Sequence, residues 1–256
     1  MKAIIIAAGI GARLKPLTDD KPKCMLQLAG KPLIEHQTDI LRSLGISDIS
    51  IIKGYRQEKI NFSNSSFNYY LNENYRENNI LESLFCAEPE IRGEVIILYS
   101  DIIFKRAVVE SLLESKKKIS IVVDVNWKAN YVDRRDHPIE EAESVIFDDK
   151  GYVQKIGKMF NVDKNLVSGE FIGMLKLCGE GANTLKRFYH QSRKKYQSGP
   201  FQKAVTLSQA YLTDMIQELV DNSVKVFCVK INNGWKEIDT MEDFKNAVRF
   251  YKNIGL

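Results

Sequence analysis

The stretch that most constrains this chain is its first two dozen residues. Residues 3–6, Ala-Ile-Ile-Ile, form an apolar run of the length of a buried strand, far short of a membrane span. The run passes without pause into Ala7-Ala8-Gly9-Ile10-Gly11-Ala12-Arg13, then Leu14-Lys15-Pro16-Leu17-Thr18 and Lys21-Pro22-Lys23. Small residues after a strand let the backbone turn sharply and approach a ligand closely. Such a turn offers backbone N–H groups to phosphate oxygens. Arg13, Lys15, Lys21 and Lys23 add positive charge where a polyphosphate would lie. Taken alone, the same residues also fit a plain glycine turn followed by a solvated basic loop. Leu14 replaces the third glycine of a dinucleotide-binding turn, and the Lys-Ser/Thr pair of a P-loop is absent. Pro16 and Pro22 disfavour a helix here, so the basic residues are expected on an extended loop.

The pattern Ala-Ala-Gly-x-Gly-x-Arg-x-x-Pro-Leu-Thr, with Lys-Pro-Lys after it, resembles the signature of nucleotidyltransferases that load phosphorylated small molecules onto a nucleotide. The resemblance implies a loop, here Ala8, Gly9 and Gly11, wrapped around a triphosphate. It also implies that Arg13 and Lys23 hold phosphates and that Lys23 steadies charge during transfer.

A chain of 256 residues can bury one sizeable core. No stretch approaches the ~20 apolar residues of a membrane helix, and the N-terminal apolar run is too short for a signal peptide. A cytoplasmic address is expected. Cys24, Cys86, Cys178 and Cys228 are widely scattered, which favours packing thiols over disulfides or zinc ligands. His36, His137 and His190 have no ligand spacing, so no zinc site is read. The net charge of +4 suits a small anionic substrate and is too dispersed to argue for nucleic acid.

Residues 25–28 read as a short strand, and 32–44 as a helix with Pro32 in its first turn and Gly45 as its stop. Residues 48–53 form a second apolar strand, and strand, helix and strand make a βαβ unit with a parallel sheet. Further strands are expected at 67–71, 94–99, 119–123 and 224–229, and helices at 80–87, 105–115, 179–196, 207–220 and 241–251. Residues 144–147 and 152–156 flank Asp148-Asp149-Lys150-Gly151, a hairpin signal. The polar segment before them reads as a mobile lid rather than core. The expectation is thus an α/β fold: a Rossmann-like, mostly parallel central sheet flanked by helices, with a small antiparallel hairpin. Residues 1–256 form one domain in this reading, with a lid insertion at about 126–143.

Asp101 follows the most hydrophobic strand, where ligands gather in an open parallel sheet; capping the next helix is its alternative role. Asp239 also follows an expected strand. Two carboxylates together with phosphate oxygens are common ligands of Mg²⁺, and the resemblance pairs an aspartate after the central strand with one in a Glu-Ile-Asp segment near the end. It also sets residues 78–84 beside the base, where Asn79 and Ser83 either read a base edge or cap a helix. Lys158 matches a lysine that touches the substrate's phosphate. Glu170 lies in a Gly-Glu-x-x-Gly strand beneath the acceptor. Trp127, Tyr131, Tyr211 and Trp235 are candidates for an aromatic wall which, with Glu170 and Glu237, would bind a cationic amine or quaternary ammonium.

The resemblance spans essentially the whole chain and is strongest to the short cytidylyltransferases of phosphocholine and of aminoethylphosphonate-type phosphonates. The runs Asp124-x-x-Trp127-x-x-x-Tyr131, Arg135-x-His137-Pro138, Glu141-Ala142-Glu143 and Trp235-x-Glu237-Ile238-Asp239-Thr240 are more like the phosphonate-associated members. Departures are Arg134-Arg135 in the lid and Ser-Asp for Gly-Asp. The implied partners are CTP and a small phosphate or phosphonate substrate, with Mg²⁺ as cofactor and a homodimer left open. Alternatives are a sugar-1-phosphate nucleotidylyltransferase, usually longer at its C-terminus, and a non-catalytic nucleotide-binding regulatory homologue. A dehydrogenase is the weakest rival, since its fingerprint is incomplete.

Overall fold

The computed structural model describes residues 1–62, 66–132, 134–158, 163 and 165–254. In chain order the main elements are β1 (Lys2–Ala7), β2 (Gln27–Leu28), β3 (Lys31–Pro32), α1 (Leu33–Ser43), β4 (Asp48–Lys53), β5 (Asn68–Leu71), α2 (Ile80–Phe85) and β6 (Val95–Tyr99). There follow β7 (Ile102–Phe104), α3 (Arg106–Glu114), β8 (Ile119–Asp124), β9 (Glu143–Phe147), β10 (Val153–Lys158) and β11 (Gly169–Leu177). The chain ends with α4 (Gly179–Tyr196), α5 (Leu212–Asp221), β12 (Phe227–Ile231), β13 (Trp235–Glu237) and α6 (Met241–Ile254).

Strands β5, β4, β1 and β6 lie side by side and parallel, with β1 in the middle. Then β11 runs antiparallel against β6. Its other edge carries β8, whose outer neighbour β12 is parallel to it. Hairpin β9–β10 attaches to the start of β11. The parallel core with an antiparallel appendage is therefore as the sequence predicts.

Alternation along β1 shows why this strand is continuously apolar. Ile4 and Ile6 enter a cluster with Leu84, Leu185, Met215 and Leu219, from helices α2, α4 and α5. Ala3, Ile5 and Ala7 face the opposite layer, with Ile34 and Leu41 of α1 and Val109 and Leu112 of α3. A strand covered on both faces has no solvent side on which to place polar residues. Helix α6 closes a third cluster, in which Ala247 and Ile238 meet Leu14 of the N-terminal loop and Ile103 of β7.

Two expectations change. The segment 126–142 is not simply polar cover: Trp127, Tyr131 and Ala142 are buried with Val167 in a small cluster of their own, and His137 is buried as well. Arg134 and His137 meet carboxylates of β13 and α6, which lets this part of the segment pack instead of staying solvated. The two short strands β7 and β13 pair antiparallel; the sequence points to a strand ahead of Asp239 but not to β7 or to this pairing. No helix among the described residues is long and apolar enough to cross a membrane. All four cysteines are free thiols.

Candidate active site

The residues singled out at the two ends of the chain meet at the carboxyl ends of β1 and β6. Gly11 takes a left-handed conformation (φ +65°), and its carbonyl accepts the Thr18 hydroxyl at 2.9 Å, which folds the basic loop back on itself. Beyond β4, Gly54 lies against Ala8; a side chain on Gly54 would begin 2.6 Å from the Ala8 carbonyl oxygen. Tyr55 N–H donates to that same oxygen at 3.1 Å. Among the described residues, apart from its chain neighbours, nothing lies within 4 Å of where a Gly9 side chain would start, so a ligand there meets bare backbone.

Asp101 and Asp239 are brought together by β7 and β13. The register sets Ile102 opposite Glu237, so the residue before β7 comes beside those after β13. Ile238 N–H donates to the Asp101 carbonyl at 2.9 Å. Lys23 Nζ then bridges the two carboxylates, donating to Asp101 Oδ2 at 2.8 Å and to Asp239 Oδ1. Arg13 donates to Asp239 Oδ2 at 2.6 Å and to Glu141 Oε2 at 2.8 Å. Burial works against the Lys23 ammonium, yet Asp101 and Asp239 hold its pKa above the usual lysine value. Burial likewise opposes ionisation of Asp239, but Lys23 and Arg13 outweigh it and keep this carboxyl below the usual range. Asp101 Oδ1 is buried with no hydrogen-bond partner among the described residues.

Two cavities join at this cluster, sharing Asn79, Ile80, Tyr99 and Asp101. The first is lined by Ala8, Gly9, Gly11, Lys23 and Ser83. Asn79 caps α2, its Oδ1 accepting from Ile80 N–H at 2.8 Å, while its Nδ2 donates to the Gln209 carbonyl at 3.2 Å. Ser83 Oγ accepts from Asn72 at 2.8 Å and donates to the Asn79 carbonyl at 3.2 Å. Both residues therefore line the cavity with their polar groups already engaged in shaping it.

The second cavity is lined by Glu143, Lys158, Glu170, Tyr211, Trp235 and Glu237, among others. Lys158 Nζ sits 4.8 Å from the centre of the Tyr211 ring. The Trp235 indole N–H donates to buried Asp124 at 2.8 Å. Trp127 and Tyr131 do not line this cavity, which corrects the four-sided aromatic wall. Trp127 packs edge-on behind Tyr131, and the Tyr131 hydroxyl donates to Glu170 Oε1. Glu170 Oε2 is buried without a partner among the described residues. Burial pushes the carboxyls of Glu143 and Glu237 up to about 7 and raises that of Glu170 as well.

The sequence assigned no role to Asp124, Glu143, Glu141 or His137. His137 comes within reach of Glu237 and Asp239 although it stands 100 or more residues away in the chain. The Trp-x-Glu-Ile-Asp run and the Glu-Ala-Glu run are visible in the sequence, but Arg13 links Glu141 to Asp239 only in the fold.

A glycine-rich turn after the first strand, a lysine between two aspartates and a sheet of this order define a nucleotidyltransferase. The chain belongs to the family with a MobA-like NTP transferase domain, whose model matches residues 3–155. It is 30% identical over 256 aligned residues to the CTP:phosphoglutamine cytidylyltransferase of Campylobacter jejuni, covering 96% of this chain and 98% of that protein. The choline-phosphate cytidylyltransferase of Streptococcus pneumoniae is 32% identical over 188 residues, 68% of this chain and 80% of that protein. In fold the chain is similar to the inositol-1-phosphate CTP transferase of T. maritima (TM-score 0.75, 20% identity, 99% of this chain and 95% of that one). It is also similar to the solved CTP:phosphocholine cytidylyltransferase of Streptococcus pneumoniae (TM-score 0.72, 23% identity, 97% and 98% covered).

Proposed function

We propose that this protein, one domain with a lid at 126–143, transfers CMP from CTP to a small cytoplasmic acceptor that carries a phosphate or phosphonate and an N–H-bearing group, releasing pyrophosphate. The observation that carries the reading is Lys23 bridging Asp101 and Asp239 where the two cavities meet. Two of the relatives, both cytidylyltransferases by name, support the choice of nucleotide.

In this reading the first cavity takes the nucleotide. Backbone N–H groups of the loop around Gly9 and Gly11 cradle phosphates, Arg13 and Lys23 neutralise them, and Asn79 and Ser83 shape the base end. An acceptor oxygen attacks the α-phosphorus; a new P–O bond forms, the bond to the β-phosphate breaks, and pyrophosphate leaves. That oxygen is already anionic, so no proton has to be removed. Holding it in line with the leaving group, with charge balanced around it, is the main task. The donor set fits a divalent cation, proposed as Mg²⁺: Asp101 Oδ1 is buried and has no partner among the described residues, while Asp101 Oδ2 and Asp239 Oδ1 meet at the Lys23 ammonium. Bound there, such an ion would neutralise charge on the reacting phosphates.

The second cavity takes the acceptor. Lys158 stands ready for its phosphate or phosphonate. Glu170 Oε2, buried and without a partner among the described residues, can accept from an N–H donor. A trimethylammonium has no N–H to give and would rely on aromatic faces, of which Trp127 and Tyr131 are withdrawn. A primary amine such as that of 2-aminoethylphosphonate is therefore favoured over phosphocholine. The test is pyrophosphate release with CTP, UTP, ATP and GTP. Each is offered 2-aminoethylphosphonate, phosphocholine, 2-hydroxyethylphosphonate and glucose-1-phosphate, with and without Mg²⁺. CTP with the primary amine should turn over fastest; turnover only with glucose-1-phosphate would overturn the acceptor assignment.

A further inference from the structure

The lid carries an arginine that the proposed reaction leaves unused. Arg134 is nearly buried, with 6% of its side chain exposed. Its guanidinium carbon lies 4.9 Å from the centre of the Tyr131 ring. Nε donates to Asp243 Oδ1 at 2.6 Å, and Nη2 donates to Asp243 Oδ2 and to Glu237 Oε2, both at 3.0 Å. Nη2 is also 2.7 Å from His137 Nδ1, so its two N–H groups are shared among three acceptors. A guanidinium only donates, so Nδ1 is the accepting nitrogen and the ring proton is assigned to Nε2.

The two carboxylates so held stand on either side of Asp239. Glu237 is two residues before it. Asp243, four residues after, accepts the backbone N–H of Asp239 itself at 3.1 Å and of Thr240 at 3.0 Å. Thr240 Oγ1 returns the bond by accepting Asp243 N–H at 3.1 Å, closing a capping box at the start of α6. Glu242 in the same turn accepts the backbone N–H groups of Arg135 and Asp136 at 2.8 and 3.0 Å.

We infer that Arg134 is a positioning residue: by gripping Glu237 and Asp243 with one planar fork, it fixes the turn on which Asp239 stands and so the spacing of Asp239 from Asp101. The grip needs two parallel N–H donors on Asp243 and a third toward Glu237. A lysine at this position supplies charge without that geometry. The inference rests on the metal reading above only in its effect on cation binding.

The experiment compares the parent with Arg134→Lys, Arg134→Gln and the exposed control Arg135→Gln. The first readout is hydrogen exchange at the Asp239 and Thr240 amides. The second is Mn²⁺ binding in the presence of CTP, followed by loss of the free-ion paramagnetic signal. Both Arg134 variants should exchange these amides faster and bind Mn²⁺ roughly tenfold more weakly or worse. Their KM for the acceptor should change less than their kcat, and Arg135→Gln should match the parent. Should Arg134→Gln fail to fold, Asp243→Asn breaks the same fork from the other side while keeping the side chain's size. Unchanged exchange at Asp239 and Thr240 in a folded variant would overturn the inference. Faster exchange in a protein whose parent binds no Mn²⁺ would uphold the grip on the turn and sink the metal reading instead.

Discussion

Lys23 couples stability to charge at the scale of a single side chain. Replacing it with methionine leaves Asp101 and Asp239 facing one another, half-shielded from water, with Arg13 still paired to Asp239 and no cation on Asp101 among the described residues. Losing one partner of a buried ionic group typically costs about 3–5 kcal/mol, so Lys23→Met should melt well below the parent in metal-free buffer. Millimolar Mg²⁺ should restore a large share of that loss in the variant and much less in the parent; a thermal melt with and without chelator checks this. Turnover of the variant should fall by roughly a hundredfold or more. Glu143 makes a separate prediction. Burial lifts its carboxyl to about 7, the neighbouring Glu237 and Asp214 add to that, and the Thr213 hydroxyl (2.9 Å) and Lys158 pull it back. A raised carboxyl stabilises the fold below its unfolded pKa, and this stability is lost as pH rises through 7. Glu143→Gln should therefore gain thermal stability relative to the parent at pH 8 compared with pH 5. The amine acceptor's KM should fall in the parent between pH 6 and 8 and stay flatter in the variant. At this scale the sequence named Arg13, Lys23, Asp101 and Asp239 because a motif carries them. It left Glu143 and Asp243 without roles, since a lone acid acquires its chemistry only from neighbours distant in the chain.

Elements explain why some of the site could be read and some could not. Continuous apolar runs such as β1 and β6 declare themselves, because a strand buried on both faces must be apolar throughout. The three-residue strands β7 and β13 offer no period to recognise, yet their pairing is what brings Asp101 to Asp239. The 126–142 segment looked polar because its charged residues hide their partners: Arg134 and His137 are buried against acids that arrive from β13 and α6. This segment also holds β11 in working order, because the Tyr131 hydroxyl is the hydrogen-bond donor to Glu170 Oε1. Tyr131→Phe keeps the ring and its contact with Trp127 but leaves both oxygens of a buried carboxylate unpaired. An unmade hydrogen bond to a buried polar group costs about 1–3 kcal/mol. Steady-state kinetics should show the acceptor's KM altered by roughly tenfold while the KM for CTP holds.

Across the whole molecule, the two ends of the chain complete each other. Arg13 reaches Asp239 across 226 positions of sequence, and Leu14 shares its cluster with Ala247 of α6. Deleting residues 241–256 should leave the sheet and most of the far-UV circular dichroism in place while abolishing CTP binding by calorimetry; retained binding would show that the N-terminal loop stands without α6. The lysine between two aspartates has one more consequence, and it concerns timing. At rest the Lys23 ammonium is occupied by Asp101 and Asp239, so it is not turned toward a bare polyphosphate. Under the proposed metal reading, a divalent ion that claimed Asp101 and Asp239 would set the ammonium free for the phosphates. The expected outcome is then a coincidence detector, which binds either visitor weakly alone and both together more tightly. By reciprocity the ion must tighten CTP by the same factor that CTP tightens the ion. Titrations of each in the absence and presence of the other would expose independent binding if the detector does not exist.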